Sequence, residues 1–249
     1  MELSPVDYKN IPNKCEHLFF LKCLIDFLFP NFYNEVKDRD ALLDKTKDMF
    51  LSIICNDMKK RDDFFSSLGC IYEEILDDIE MTFDSDPAAN SHEEILISYP
   101  GINAIMTYRI AHRLYELDEK VSARILTEYA HSKTGIDIHP GATIGNHFFI
   151  DHGTGIVIGE TTVIGNYVRI YQGVTLGALS LSDGHALKGN KRHPTIGNNV
   201  IIYANASILG GDTVIGDNVT IGGNVFITKS IPSNVTVISK EPELVLKNK

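Results

Sequence analysis

The sequence predicts an α+β protein in which an N-terminal α-helical domain, residues 1–134, precedes a parallel β-helix, residues 135–232. Three observations support this prediction. Apolar residues recur at helical spacing up to about residue 133, an aliphatic residue recurs every six positions beyond Gly135, and two longer steps interrupt the second pattern. Residues 233–249 are expected to form a C-terminal tail.

The N-terminal part has the apolar spacing of helices that bury one face. Residues that break or end helices divide it into about five helices: Asp86-Pro87, Pro100-Gly101 and Gly135. Acidic residues outnumber basic ones here and contribute most of the formal net charge of −10. We therefore expect an acidic, compact helical domain.

Beyond Gly135 the apolar period changes to six residues. The aliphatic positions are Ile138, Ile144, Ile150, Ile158, Ile164, Ile170, Leu176, Ile196, Ile202, Ile208, Val214, Ile215, Ile221 and Ile227, with a slip of one residue at Val214-Ile215. This period is typical of a parallel β-helix, in which triangular coils of about 18 residues stack aliphatic side chains inside. Neither an α-helix nor an antiparallel sandwich produces it.

Insertions into a β-helix leave the coil at its corners, so the two longer steps locate the candidate chemistry. The step from Ile150 to Ile158 contains His152. The step from Leu176 to Ile196 places an inserted loop at residues 178–193. Two lysines of this loop, Lys188 and Lys191, are expected to keep it soluble.

Four motifs in this region resemble the serine O-acetyltransferases, a family of hexapeptide-repeat acyltransferases. They are Asp137-Ile138-His139-Pro140, Ile150-Asp151-His152-Gly153-Thr154-Gly155, Val157-Ile158-Gly159-Glu160-Thr161 and Arg192-His193-Pro194. The resemblance implies a left-handed β-helix and transfer of acetyl from acetyl-CoA to the hydroxyl of L-serine, which gives O-acetyl-L-serine for cysteine biosynthesis. It also implies feedback inhibition by L-cysteine.

Acetyl transfer to a hydroxyl group needs a base, and His152 is the candidate. Imidazole has an unperturbed pKa of about 6.5, which suits proton transfer near neutral pH. The resemblance implies that Asp137, almost one coil earlier, orients the ring and stabilises its charged form. Spacing alone leaves open that His152 is only a polar corner residue.

The resemblance also assigns the two ends of serine. Asp86 and Asp151 would hold its amino group, and solvated loop charges are the alternative for both acids. Arg192 and His193 would bind the carboxylate, a role that suits the forked guanidinium group.

Acetyl-CoA is expected along the outside of the β-helix. There Ala204, Gly222 and Gly223 would let backbone N–H groups reach the pantetheine arm, although small residues at tight corners are an equally good interpretation. The sequence has no GxGxxG or GxxxxGK[ST] loop, the usual motifs for binding dinucleotides and nucleoside triphosphates.

Other classes of function are disfavoured. The histidines beyond the helices are His139, His147, His152, His185 and His193. Their spacings do not put two imidazoles on one stacked face, as a zinc lyase on this fold would need, and Arg192 would repel the cation, so no metal is expected. An inactive scaffold is disfavoured because candidate base, acid and substrate residues are all present. The alternative enzyme is an O-acetyltransferase acting on a sugar or another small hydroxyl acceptor.

The sequence also limits location and partners. The richest apolar run, residues 18–29, is short and charged, so no membrane span or secretory signal is expected and the protein should be cytoplasmic. No basic stripe indicates a nucleic-acid partner. The four cysteines are expected to be reduced core thiols.

The expected assembly is a homotrimer, because a short β-helix exposes flat faces, and a dimer of trimers is the larger alternative. The resemblance implies sites between neighbouring subunits. Many relatives end in an isoleucine that enters O-acetylserine sulfhydrylase, whereas this sequence ends in Lys249, so no stable complex with that enzyme is expected. The segment from Gly177 to Leu181 departs from the family's glycine-rich turn, which could alter substrate or inhibitor fit.

Overall fold

The computed structural model describes residues 11–179 and 189–240. Within these ranges the helical part contains one π-helical turn, Phe50–Ile54, and seven α-helices, more than the five or so predicted. The α-helices are α1 (Lys14–Leu28), α2 (Arg39–Met49), α3 (Met58–Ser66), α4 (Leu68–Ser85), α5 (His92–Ser98), α6 (Pro100–Glu116) and α7 (Lys120–Thr134). The predictions for Lys188 and for the end of the tail, residues 241–249, lie outside the described residues.

Local sequence signals explain where the helices begin and end. Asp57 and Ser91 accept hydrogen bonds from backbone N–H groups in the first turns of α3 and α5. These two helices have nine and seven residues, too few to show a clear apolar period, which is why the sequence pattern missed them. Helix α6 begins with Pro100. Helix α7 is terminated by Gly135, whose φ of 72° is a left-handed conformation that glycine adopts without strain.

The helices bury their own apolar core. Phe20, Phe50 and Phe64 are almost completely inaccessible to solvent, and their ring centroids are 5.4 to 6.2 Å apart. All four cysteines are free, but Cys15 and Cys70 are exposed, so the prediction of core thiols was wrong for these two. No helix in the described ranges combines the length and the apolar character needed to cross a membrane.

Fourteen short strands follow within the described residues. They are β1 (Asp137–Ile138), β2 (Thr143–Ile144), β3 (Phe149–Asp151), β4 (Val157–Ile158), β5 (Val163–Ile164), β6 (Arg169–Tyr171), β7 (Thr175–Gly177), β8 (Thr195–Ile196), β9 (Ile201–Ile202), β10 (Ser207–Leu209), β11 (Val214–Ile215), β12 (Thr220–Ile221), β13 (Phe226–Ile227) and β14 (Thr236–Val237). They form three parallel sheets with the orders β1-β4-β7-β10-β13 (sheet 1), β2-β5-β8-β11 (sheet 2) and β3-β6-β9-β12-β14 (sheet 3).

From β4 to β13 each strand therefore pairs with the strand three positions earlier in the sequence, and β14 pairs with β12. This arrangement makes the strand region a parallel β-helix, as predicted. Within sheet 1 the register stacks Ile138, Ile158, Leu176, Ile208 and Ile227 above one another. All five side chains are buried in one continuous aliphatic core. The six-residue period thus reports the interior of the coil directly.

Two details of the repeat were predicted wrongly. Val214 and Ile215 were both counted among the aliphatic positions, but only Ile215 is buried and the side chain of Val214 is exposed. An extra residue is accommodated at the preceding corner, where Gly210 has a φ of 104°. The β-helix also extends beyond residue 232, because Thr236–Val237 pairs with β12 in parallel.

Helix α6 lies against the first coil and supplies hydrogen bonds to its backbone. Three of its side chains donate to carbonyl groups of that coil: Tyr108 Oη to Ala142 O at 2.6 Å, Arg109 Nη2 to Gly145 O at 2.9 Å, and His112 Nδ1 to Pro140 O at 2.7 Å. The close contact is possible because α6 contains Gly101, where a β-carbon would lie 2.6 Å from the carbonyl oxygen of Ile150.

Asp78 of α4 is the buried centre of this junction. Its carboxylate has no solvent exposure and accepts hydrogen bonds from Arg109 Nε at 2.5 Å and from Arg109 Nη2 at 2.9 Å. It also accepts one from the backbone N–H of Phe148 at 2.8 Å. A single carboxylate therefore joins α4, α6 and the first coil.

We predict that Asp78→Ala lowers the free energy of unfolding by about 3–5 kcal/mol, because it removes the buried counter-ion of Arg109. The carboxylate that remains, Glu74, is partly exposed and contacts Arg109 Nη1 at 3.3 Å. The matched control is Asp44→Ala, which removes an exposed helical carboxylate 3.6 Å from Lys47 and should cost less than about 1 kcal/mol. Urea denaturation followed by circular dichroism measures both. Equal losses for the two variants would contradict the role given to Asp78.

Candidate active site

The predicted site residues lie on two different edges of the triangular coil. The first edge, called the His152 edge, consists of the turns from sheet 3 to sheet 1, residues 152–156, 172–174, 203–206 and 222–225. The second, called the Arg192 edge, consists of the turns from sheet 1 to sheet 2, with residues 139–142, 159–162, 178–179 and 189–194. Sheet 1 separates the two edges.

His152 projects from its edge because the turn that carries it is two residues longer than the regular one. The register pairs Asp151 with Tyr171 and Val157 with Thr175, which leaves five residues between the paired positions in one turn and three in the next. His152 has a φ of 55°, and its side chain is 75% exposed. Gly153 follows with a φ of 83°, and a β-carbon there would lie 2.4 Å from Ile136 Cδ1. The turn thus requires glycine at 153 and presents the imidazole to solvent.

Two carboxylates lie beside the His152 edge: Asp151, the last residue of β3, and Asp86, which follows α4. Asp151 Oδ1 lies 3.7 Å from His152 Nε2. Asp86, at the end of α4, accepts a hydrogen bond of 2.7 Å from the hydroxyl of Tyr99. This bond is the main cause that raises the pKa of Tyr99 to about 12, and the negative charge of Asp151 adds to it. Neither carboxylate forms an ion pair with a lysine or arginine in the described parts of the chain.

Asp137 does not pair with His152 in this chain. It begins β1, and its Oδ1 lies 3.7 Å from Arg124 Nη1. Of the described carboxylates, Asp151 is the one within ion-pair distance of His152. The difference has two physical reasons: a guanidinium attracts Asp137, and no packing fixes the exposed imidazole. The role of Asp137 as the orienting carboxylate stays a prediction.

Asp137 also belongs to a cluster of potential metal ligands. Ligand atoms of Glu128, His131 and Asp137 lie within 4.8 Å of one another. Arg124 contacts Glu128 and lies near Asp137, so its guanidinium already supplies positive charge there. A cation would have to displace it, which makes this cluster a poor metal site.

On the Arg192 edge, Arg192 forms an ion pair with Glu160 through Nη2. Tyr115 of α6 donates its hydroxyl to the other oxygen of Glu160 at 2.7 Å. Burial alone would raise the pKa of Glu160, but the hydrogen bonds from Arg192 and Tyr115 outweigh it and lower the pKa to about 2. Arg192 Nη1 is buried and has no hydrogen-bond partner among the described residues.

His193 is buried beside Arg192, with 8% of its surface exposed. Its ring lies against the backbone of Gly159, where a β-carbon would be 2.1 Å from Nε2. The backbone N–H of Thr161 donates to His193 Nδ1 at 3.1 Å. Burial, and then the positive charge of Arg192, lower the pKa of His193 to about 4. The imidazole is therefore neutral near pH 7 and carries its proton on Nε2.

One chain does not bring the two edges together. The two turns of the second coil, residues 152–156 and 159–162, lie at opposite ends of β4. The five residues from 155 to 159 span about 13 Å when extended. The hydroxyl oxygen and the carboxylate carbon of serine are three bonds apart, less than about 5 Å. An acceptor of that size held by Arg192 and His193 lies out of reach of His152 on the same chain.

The residues predicted to contact acetyl-CoA lie on the His152 edge. Gly223 stacks on Ala204, since a β-carbon at 223 would be 3.1 Å from the carbonyl oxygen of Ala204. One coil closer to His152, Gln172 Oε1 is buried without a hydrogen-bond partner among the described residues. Gly222 follows Ile221 at the end of β12. His152 and the three predicted residues thus follow one line along the coil axis.

Several residues around these groups had no role in the sequence analysis. Tyr99 and Tyr115 lack a sequence signal because their partners lie on other elements. Gln172 lacks one because spacing does not show that its side-chain oxygen is buried without a partner among the described residues. Glu160 and Thr161 occur in a motif that resembles the family, but spacing does not show what they contact. Lys191 donates to the carbonyl oxygen of Thr161 at 2.6 Å, so it does more than solubilise the loop.

Comparison with known proteins gives a consistent family. Residues 193–229 match the family model "Bacterial transferase hexapeptide (six repeats)". A plasmid-encoded serine acetyltransferase of Synechococcus elongatus is 57% identical over 159 residues, 63% of this chain and 50% of the relative, so the chain spans about half the length of that protein. A serine acetyltransferase of Staphylococcus epidermidis is 49% identical over 162 residues, 65% of this chain and 73% of the relative.

Comparison with solved structures indicates the same family. Serine acetyltransferase isoform 3 of Entamoeba histolytica, in complex with cysteine, superposes with a TM-score of 0.81 at 42% identity, covering 92% of this chain and 84% of that one. The Neisseria gonorrhoeae enzyme in complex with serine has a TM-score of 0.67 at 32% identity, covering 89% and 83%. A serine acetyltransferase in complex with CoA has a TM-score of 0.64 at 30% identity, covering 87% and 79%. The hexapeptide repeat also fits the predicted left-handed β-helix. This chain belongs to the serine acetyltransferase family.

Proposed function

We propose that this chain transfers acetyl from acetyl-CoA to the hydroxyl of L-serine and releases O-acetyl-L-serine and CoA, a step of cysteine biosynthesis. One observation carries the proposal beyond the family relationship. The site groups comprise two carboxylates that lack a lysine or arginine partner among the described residues, an exposed imidazole, and a guanidinium beside a neutral imidazole. One nitrogen of the guanidinium, Arg192 Nη1, is a donor without a partner in the same residues. These groups match the ammonium, hydroxyl and carboxylate of an amino-acid acceptor.

His152 acts as the general base. As the serine hydroxyl oxygen attacks the thioester carbonyl of acetyl-CoA, the imidazole accepts the hydroxyl proton. The carbon–sulfur bond then breaks, and the proton passes to the departing CoA thiolate. The exposed position of the ring at the turn lets both substrates approach it. Asp137 is the proposed orienting carboxylate, which requires the exposed ring to turn towards it.

The ammonium group of serine binds at Asp86 and Asp151. Two negative charges on one edge without a lysine or arginine partner in the described ranges favour a cationic ligand. Tyr99 holds Asp86 in place through its hydroxyl. A sugar acceptor would leave both carboxylates without a counter-charge, so these groups favour serine over the alternative acceptor.

The carboxylate of serine binds at Arg192 and His193. Arg192 Nη1 is a buried donor with no partner among the described residues, and a carboxylate oxygen would satisfy it. Because these residues lie on the other edge of the coil, we infer that they come from a neighbouring subunit. A cyclic homotrimer provides this arrangement three times, and a dimer of trimers would preserve it.

Acetyl-CoA lies along the His152 edge, past Ala204, Gly222 and Gly223. Successive coils are about 4.8 Å apart, so these residues offer backbone groups at regular intervals for an extended pantetheine arm. Gln172 Oε1 offers an unused acceptor on the same line. L-Cysteine shares the ammonium and carboxylate groups of serine, and we propose that it inhibits by competing for the same contacts.

The activity test measures CoA thiol release with L-serine, L-homoserine, 2-aminoethanol and a monosaccharide as acceptors. We expect the highest kcat/KM for L-serine, because it alone matches both charged groups at the correct spacing from the hydroxyl. Activity should survive EDTA, since the proposed mechanism uses no metal. Faster acetylation of the monosaccharide would establish the alternative acceptor class.

We predict that His152→Ala lowers kcat by a factor on the order of 10²–10⁴, the usual consequence of losing a general base. The matched control is His92→Ala, which removes another exposed histidine, one that contacts Glu80, and should leave kcat unchanged. Asp137→Asn should reduce kcat less than His152→Ala and more than Asp151→Asn. The reverse order of the two aspartate variants would transfer the orienting role to Asp151.

We also predict that two inactive variants complement each other. When His152→Ala and Arg192→Ala chains are refolded together in equal amounts, about three quarters of cyclic trimers are mixed, and each mixed trimer has one intact interface. About one quarter of wild-type activity should return. Subunit exchange is verified by mass labelling of one variant. Activity no higher than the sum of the separate variants would place each site within one chain.

A further inference from the structure

The turn at Glu160 and Thr161 forms several contacts with the end of the long insertion, and no sequence motif predicts them. Three consecutive residues of the insertion, Lys191, Arg192 and His193, all contact these two residues. The contacts join positions about 30 residues apart in the sequence. The insertion passes close to the coil here, since a β-carbon at Gly211 would lie 2.4 Å from the carbonyl oxygen of Lys191.

Glu160 fixes the guanidinium of Arg192. One carboxylate oxygen accepts from Arg192 Nη2, and the other accepts from the Tyr115 hydroxyl at 2.7 Å. Glu160 is thereby held by α6 as well as by Arg192. With Nη2 engaged, Nη1 is a buried guanidinium nitrogen that has no hydrogen-bond partner within the described surroundings.

Thr161 fixes the backbone of Arg192 and His193 and also the ring of His193. Its Oγ1 accepts hydrogen bonds from the backbone N–H of Arg192 at 2.9 Å and of His193 at 3.1 Å. Its own backbone N–H and hydroxyl lie 3.1 and 2.9 Å from His193 Nδ1. A backbone N–H can only donate, so Nδ1 must be the acceptor and the ring proton must reside on Nε2.

The charges around His193 keep this ring neutral. Arg192 and Lys191 face it from the insertion, while Glu160 and His139 face it from neighbouring turns. Burial, followed by the charge of Arg192, lowers the pKa of His193 to about 4 despite the opposing charge of Glu160. His139 adds no positive charge near pH 7, because burial and Arg124 lower its pKa to about 4 as well.

We propose that Glu160 and Thr161 are positioning residues that assign separate donor roles to Arg192 and His193. Glu160 leaves Arg192 Nη1 as a charged donor, and Thr161 leaves His193 Nε2 as a neutral donor, so the acceptor's carboxylate meets one of each. This proposal rests on the proposed function, in which that carboxylate binds here. It explains carboxylate selectivity through residues that do not touch the substrate.

The kinetic test compares Glu160→Gln, Thr161→Val and Thr161→Ser with the wild type. We expect Glu160→Gln and Thr161→Val to raise KM for L-serine about 10-fold to 100-fold, the loss typical of a weakened charge-assisted contact. KM for acetyl-CoA should stay within about threefold, and kcat should fall less than KM rises. Thr161→Ser keeps the hydroxyl and should remain within about threefold of the wild type.

A second readout does not depend on activity. The ¹⁵N resonances of His193, assigned by comparison with His193→Gln, should show an unprotonated Nδ1 and a protonated Nε2 at pH 7, with no imidazolium at pH 6. Imidazolium at pH 6, or a proton on Nδ1, would overturn the role of Thr161 whether or not serine is the acceptor. The melting temperature of Thr161→Val shows whether this variant folds. If it does not, the KM values of Glu160→Gln and Thr161→Ser decide whether the positioning role holds.

The kinetic outcomes separate the two proposals. A wild type that acetylates serine, together with unchanged KM for serine in Glu160→Gln and Thr161→Val, would overturn the positioning role alone. The same holds if Thr161→Ser is as damaged as Thr161→Val, or if KM rises equally for both substrates. A wild type that does not acetylate serine refutes the proposed function, while the resonances of His193 still test what Thr161 does.

Discussion

Parallel pairing between successive coils is the constraint on which the rest of this structure depends. Each strand pairs in register with the strand one coil earlier, so the position of every inward aliphatic side chain is fixed by its neighbours. An extra residue inside a strand would move that side chain out of the core. Added residues therefore leave at the turns, and both long additions here carry candidate site residues. The rigid interior and the variable edges are two results of the same pairing.

The two edges differ in their charges. The His152 edge carries Asp86 and Asp151, whereas the Arg192 edge presents a guanidinium and a neutral imidazole. Within one chain these opposite characters stay apart, because sheet 1 lies between them. Assembly of identical chains can bring unlike edges together, and the same charges that would bind a zwitterionic acceptor would then favour the correct docking of subunits.

The sequence predicted those features that depend on local order. The six-residue period gave the β-helix, and the eight-residue step gave the exposed position of His152. It counted both Val214 and Ile215 as inward positions, because the period cannot show which of two adjacent aliphatic residues turns inward when a corner lengthens. It gave no role to Glu160 and Thr161 because their partners are about 30 residues away, across an insertion whose return path spacing does not define. The pairing of His152 with Asp137 failed to form in one chain for a similar reason: Arg124, on a helix, competes for the carboxylate.

Helix α6 has a further consequence for how the protein behaves in solution. The first strand of each sheet has a partner on one side only, and such an unpaired edge can recruit the open end of another β-helix and extend into a fibre. Side chains of α6 donate to carbonyl groups of this coil at Pro140, Ala142 and Gly145. The carbonyl group of Ala142 is one that a preceding coil would otherwise use, because its counterpart one coil later, Thr162 O, accepts from the backbone N–H of Thr143. The helical domain thus closes one end of the solenoid against uncontrolled growth, and the coil it protects is the one that ends in His152.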